Sequence, residues 1–193
     1  MDSSSTEQLP ALVRWTRRLE DAAALDPAVH AMEPKVRELF GSGTRGSVLR
    51  GDWLGHALHP VLTDVVLGTW TSATLLDLLG GPASSAASQR LTGIGLLAAG
   101  PTAWSGWAEW SESGPRDKRV GLVHAVTNGV AIGAYAASWV ARQRGQHGTG
   151  ARLALAGAAV SGVGAYLGGH LTAARKVGSR HPAYDEDAVA VSD

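Results

Sequence analysis

Two stretches of this chain, 120–141 and 153–174, each run for about 22 residues without Asp, Glu, Lys or Arg, enough for a helix to cross about 30 Å of hydrocarbon. A helix on the surface of a soluble protein needs a polar stripe, and neither stretch has one. Two further apolar segments precede them, at 54–79 and 91–110. The links between the four, 80–90, 111–119 and 142–152, are short and rich in Gly, Ser, Pro and charge. Short links make neighbouring helices antiparallel. Trp53, Trp104, Trp107, Trp110 and Trp139 fall near segment ends, as interfacial anchors do. The expected fold is therefore all-α: a four-helix transmembrane bundle, up-down-up-down, over residues 51–178. A soluble Ala/Gly-rich bundle is the competing reading, and the missing polar stripe weighs against it.

Within the segments, Pro101 after Gly100 is expected to kink the second helix, which bundle neighbours tolerate. Gly157, Ser161, Ala165 and Gly169 fall four apart, a small-residue stripe that lets another helix approach closely.

Residues 1–50 read differently. Leu9, Leu12, Val13, Leu19 and Ala23 keep helical spacing with Arg14, Arg17, Arg18 and Glu20 between them, and Thr6 and Pro10 supply a start. Asp26-Pro27 is a second start, followed by Val29, Met32, Val36 and Phe40, and Gly41-Ser-Gly43 is a stop. These are two short amphipathic helices, expected on the cytoplasmic membrane surface or on the bundle. A disordered acidic tail is expected at 179–193.

The formal net charge is zero, so no basic field points to nucleic acid. With no cysteine, disulfides, thiolate metal sites and a cysteine-held iron–sulfur cluster are excluded within this chain. The first residues show no basic region followed by an apolar run, so no cleaved signal peptide is expected. Basic residues fix an orientation. Arg14, Arg17, Arg18, Lys35, Arg37, Arg45, Arg50, Arg116, Lys118, Arg119, Arg175, Lys176 and Arg180 fall on the side of the two termini, against Arg90, Arg142, Arg144 and Arg152 on the other. That imbalance places both termini in the cytoplasm of a plasma membrane.

This topology brings histidines together. His56 and His59 open the first segment, His124 lies one turn into the third, and His170 is near the end of the fourth. Antiparallel packing carries all four to the cytoplasmic end, where Glu109 arrives from the second segment. Asp64 lies about one turn deeper, and Asn128 is on the face of His124. Ionisable groups at membrane depth are costly and point to function. Imidazole pairs on bundle helices ligate haem iron, and imidazole with carboxylate holds a divalent metal. The candidate ligands are thus His59, His124, His170 and His56, with Asp64 and Glu109 as metal ligands or as orienters beside Asn128. Whether His56 shares a face with His59 depends on the helix starting before Pro60. His30, His147 and His181 are weaker candidates. Asp77, at the far end of the first segment, is expected to face water or headgroups. Tyr135 and Tyr166 offer hydroxyl partners. No phosphate loop or nucleophile elbow is present.

Gly51-Asp-Trp-Leu-Gly-His56-Ala-Leu-His59-Pro60, Thr63-Asp64, Gly68-Thr-Trp70, Gly121-Leu-Val-His124 and Tyr166-Leu-Gly-Gly-His170 resemble an uncharacterised bacterial four-helix membrane domain family, over residues 19–178. The resemblance implies a multi-span fold. Some of its members are fused to a Rieske iron–sulfur domain, which implies an electron-transfer setting by association. This chain, without cysteine, would need a separate iron–sulfur or other redox partner besides its lipid bilayer. Three readings follow: a redox-associated protein holding one haem b or a divalent metal, a non-catalytic anchor or assembly subunit with interhelical histidine hydrogen bonds, and a proton or metal transporter.

Overall fold

The computed structural model describes residues 9–178, so Thr6, His181 and the 179–193 tail lie outside it. Seven α-helices follow in order: α1 (Ala11–Glu20), α2 (Asp26–Val36), α3 (Gly43–Arg50), α4 (Leu58–Leu79), α5 (Ser85–Glu112), α6 (Pro115–Gln143) and α7 (His147–Gly169). Single π-turns continue α2 to Gly41 and α7 to Ala174. No strand occurs among the described residues. Two helices, α6 and α7 with its π-turn, are long and apolar enough to cross a membrane.

The N-terminal region holds three helices instead of two. Ser42, in extended conformation, does break the chain before α3. Gly51 then closes α3 in the left-handed region at φ 79°, where a Cβ would stand 2.6 Å from the His56 carbonyl oxygen. The linkers are shorter than the charge pattern indicates: α6 begins at Pro115 and α7 at His147, leaving two residues (113–114) and three (144–146) to turn. α5 runs on through Pro101.

The four long helices form two antiparallel hairpins, α4–α5 and α6–α7. Around the bundle α4 adjoins α5 and α7, and α6 adjoins α5 and α7, so α4 and α6 stand diagonally opposite. Three side-chain pairs between them stand at successive levels. His59 faces His124, with ring centroids 6.3 Å apart. Trp70 stacks on Tyr135, centroids 3.9 Å apart and 16° between planes. Asp77 pairs with Arg142. Each α6 member follows its α4 counterpart by 65 positions (59 and 124, 70 and 135, 77 and 142). The buried positions of α5 and α7 match in the same way, 62 apart: Ser88 and Gly150, Thr92 and Ala154, Gly95 and Gly157, Ala99 and Ser161, Thr102 and Gly164. The bundle is therefore a repeated hairpin about a pseudo-two-fold axis along the helices, a parallel repeat.

Small residues on α5 and α7 admit those long side chains. A Cβ on Gly95 would come within 2.2 Å of Trp70, and one on Gly157 within 3.0 Å of the Tyr135 ring. The buried stripe of α7 is accordingly Gly150, Ala154, Gly157, Ser161 and Gly164, continued by the larger Leu167. Of the expected four-apart stripe, Gly157 and Ser161 belong to it, while Ala165 and Gly169 are exposed.

Asp77 does not face water or headgroups. Its side chain is 9% exposed and that of Arg142 is 1%. Arg142 Nη1 donates to Asp77 Oδ1 at 3.0 Å and a second fork bond joins Nη2 to Oδ2. Ser88 Oγ donates to Asp77 at 2.6 Å, and Arg142 Nε to Ser138 Oγ at 3.2 Å. A charge left alone in such a place costs far more than the pair contributes. Asp77→Ala should lower unfolding stability in detergent by about 3–5 kcal/mol, and Asp77→Leu with Arg142→Met should recover most of that loss. A chemical denaturation series on the purified protein reads both.

Candidate functional site: the His59–His124 pair

α4 starts at Leu58, with Ala57 as its N-cap. His59 and Pro60 thus lie in the first turn, where the missing proline N–H costs no hydrogen bond. His56 lies outside the helix. It is exposed, and its Nδ1 is 3.1 Å from the carbonyl oxygen of Ala57. The His-x-x-His spacing therefore does not place two rings on one helical face.

His59 Nδ1 is 2.9 Å from the Thr102 carbonyl oxygen and 3.2 Å from Ser105 Oγ. A carbonyl only accepts, so this nitrogen carries the proton. His124 repeats the arrangement in the second hairpin: Nδ1 donates to the Gly164 carbonyl at 2.9 Å. Thr102 and Gly164 are themselves repeat mates. In both rings Nε2 is then the lone-pair nitrogen. Asn128 Nδ2 stands 3.0 Å from His124 Nε2. Glycines back both rings: a Cβ on Gly106 would meet His59 Cε1 at 2.8 Å, and one on Gly168 would meet His124 Cε1 at 3.0 Å. The planes of the two imidazoles are 80° apart.

The other expected ligands stand elsewhere. His170 is at the same end, but its Nε2 lies 2.8 Å from Glu20 Oε1 on α1. Asp64 is exposed on the outer face of α4, away from the histidine pair. Glu109 is buried at the end of α5, where a Cβ on Gly178 would stand 3.5 Å from its Oε2. Tyr135 sits in the core against Trp70, and Tyr166 lies 6.1 Å from the Trp15 ring. Among the described residues no group of three or more His, Cys, Asp or Glu is placed to hold a metal ion. The site is thus two imidazoles, one from each repeat.

The family description "Predicted membrane protein (DUF2231)" matches residues 55–181, well over half of the chain. The chain belongs to the DUF2231 family. No curated protein and no solved structure matches it. The DUF2231 region takes in the whole repeated bundle, both site histidines included, and leaves α1–α3 outside.

Those three helices roof the histidine end, and charge holds the roof down. Four consecutive residues in the first turns of α6 each take a partner. Arg116 pairs with Asp21 at 2.9 Å, Asp117 with Arg175 at 2.6 Å and Lys118 with Glu33 at 2.6 Å. Arg119 grips both oxygens of Asp26, at 2.6 and 2.8 Å. Val29 and Val36 pack beneath against Trp110 and Leu122. Sequence reading counts these bases as topology signals and misses the roof, because every partner carboxylate is remote in the chain.

The Arg119 hydrogen bond holds the Asp26 carboxyl below its ordinary value of 3.8, and the Lys118 hydrogen bond holds Glu33 below 4.5. A lowered folded-state value means stabilisation that is complete above the unfolded value and lost as pH falls through the folded one. The roof should therefore stay closed from neutral pH down to about pH 5 and loosen progressively as pH falls below about 4, the ordinary carboxylate range. Hydrogen exchange at pH 5 and pH 3 should show protection lost in residues 11–50 before the bundle; equal loss in both would refute the ionic account.

Proposed function

We propose that this DUF2231 protein is a multi-pass redox protein of the plasma membrane, with all four long helices crossing the bilayer and one haem b carried between His59 and His124. The 6.3 Å separation of the two ring centroids carries the reading. With Nδ1 of each ring held on a backbone carbonyl, His59 and His124 would hold the group through their Nε2 lone pairs. The ligand count selects the group. A bare ion asks the protein for three or four donors, whereas haem iron takes four from its porphyrin and two from the protein.

When bound, haem exchanges single electrons between its ferric and ferrous states. The chain's residues hold and orient. Thr102 and Gly164 fix the imidazole tautomers through their carbonyls, the usual outer support of a metal-ligating histidine. Asn128 Nδ2, 3.0 Å from His124 Nε2, would have to release that nitrogen for it to serve as a ligand. Both termini lie in the cytoplasm in this reading, and the electron partner is a separate iron–sulfur or other redox protein.

A second reading, the membrane anchor or assembly subunit, draws on one observation: Asn128 already satisfies His124 Nε2 without any ligand. Hydrogen bonds of this kind contribute about 0.6 kcal/mol on average in lipid. Visible spectra of the detergent-purified protein, expressed with added haem precursor, separate the two. Haem bands should be present in wild type, His56→Ala and His170→Ala and absent in His59→Ala and His124→Ala. A colourless wild type, with His124→Ala only slightly less stable, would leave the anchor reading standing.

A further inference from the structure

We propose that α1 is a docking surface for anionic phospholipid headgroups at the histidine end of the bundle. α1 is amphipathic, and its buried side is fixed in place. Glu20 binds His170, and the Glu20 carbonyl accepts from Arg119 Nη1 at 2.7 Å. Outside that contact α1 exposes Leu12 (58%) and Trp15 (37%) on its bundle-side flank and Arg17 and Arg18 on its outer side.

Two independent observations identify the occupant. The first is depth. Trp15 lies against Tyr166, which is four residues before His170 in the last apolar turns of α7. Tryptophan and tyrosine at the end of a span mark the headgroup level, with the ring body toward acyl chains and the polar edge toward water. α1 is thus held at that level, with Arg18 three positions after Trp15 and so one turn along from it. The second is charge. The neighbouring acids are taken: Asp21 by Arg116, Asp26 by Arg119, Glu33 by Lys118, and Glu20 by His170 and Arg175. Arg17 and Arg18 have no ion-pair partner among the described residues. Two guanidinium groups unneutralised by protein, on a helix that also exposes Leu12 and Trp15, match a phosphate headgroup above its chains. The surface is separate from the histidine pair, so loss of haem binding would not touch it.

The test uses the full chain in neutral detergent, titrated with phosphatidylglycerol or phosphatidylcholine and followed by native mass spectrometry. Wild type should retain phosphatidylglycerol in preference, and the preference should fall about fivefold for each arginine removed in Arg17→Gln and Arg17→Gln/Arg18→Gln. Arg90→Gln/Arg152→Gln, at the opposite end, should leave it unchanged. Equal retention of the two lipids, or a preference surviving the double variant, overturns the proposal. Binding of soluble polyglutamate with no preference for phosphatidylglycerol also overturns it and assigns the face to an acidic protein. Should the double variant lose its helical circular dichroism, wild type decides. Its preference must shrink between about 50 and 500 mM salt, and a salt-insensitive one overturns the proposal.

Discussion

The bundle depends on three side-chain pairs meeting across its centre. α4 and α6 stand diagonally opposite, and His59–His124, Trp70–Tyr135 and Asp77–Arg142 fill the space between them. Each level uses a different force: polar ring contact, aromatic stacking, and a fork-shaped ion pair sealed from solvent. At about 1.5 Å per residue the levels lie roughly 16 and 10 Å apart, nearly the length of a span. The other two helices adapt to that requirement. Between the rungs α5 and α7 present mostly glycine, alanine, serine and threonine inward, because a side chain at Gly95 or Gly157 would collide with Trp70 or Tyr135.

A repeated hairpin explains why the candidate site has two members and not four. His59 and His124 occupy equivalent places in the two repeats and inherit equivalent supports, a carbonyl on Nδ1 and a glycine behind the ring. His56 and His170 have no such equivalence. One precedes its helix, and the other serves the α1 roof through Glu20. In the proposed reading, two imidazoles suit a metal that brings most of its own ligands.

Much of the bundle was legible in the chain. The two long uncharged segments became α6 and α7, and apolar segments one and two became α4 and α5, with ends extended by up to six residues into the polar links. The extension is physical: charges at 116–119 and 142 do not end a helix when each finds a partner. The repeat was legible too, in Arg90-Leu91 and Arg152-Leu153, Gly95 and Gly157, Gly100 and Gly162, and Gly106 and Gly168. It was overlooked because the second hairpin has a shorter turn, which changes the spacing from 65 to 62 midway.

The sequence by itself determined helical class, membrane affinity and which end would gather histidines, since those follow from local apolar length and from the alternation of helix direction. Only the tertiary structure decided which histidines meet, that Asp77 is buried on Arg142, and that the basic turn of α6 holds a roof of three helices. Those outcomes depend on the rotation of each helix about its own axis. That rotation is set by side-chain fit across the centre of the bundle, which involves residues 65 positions apart and leaves no trace in any local window (59 and 124, 77 and 142).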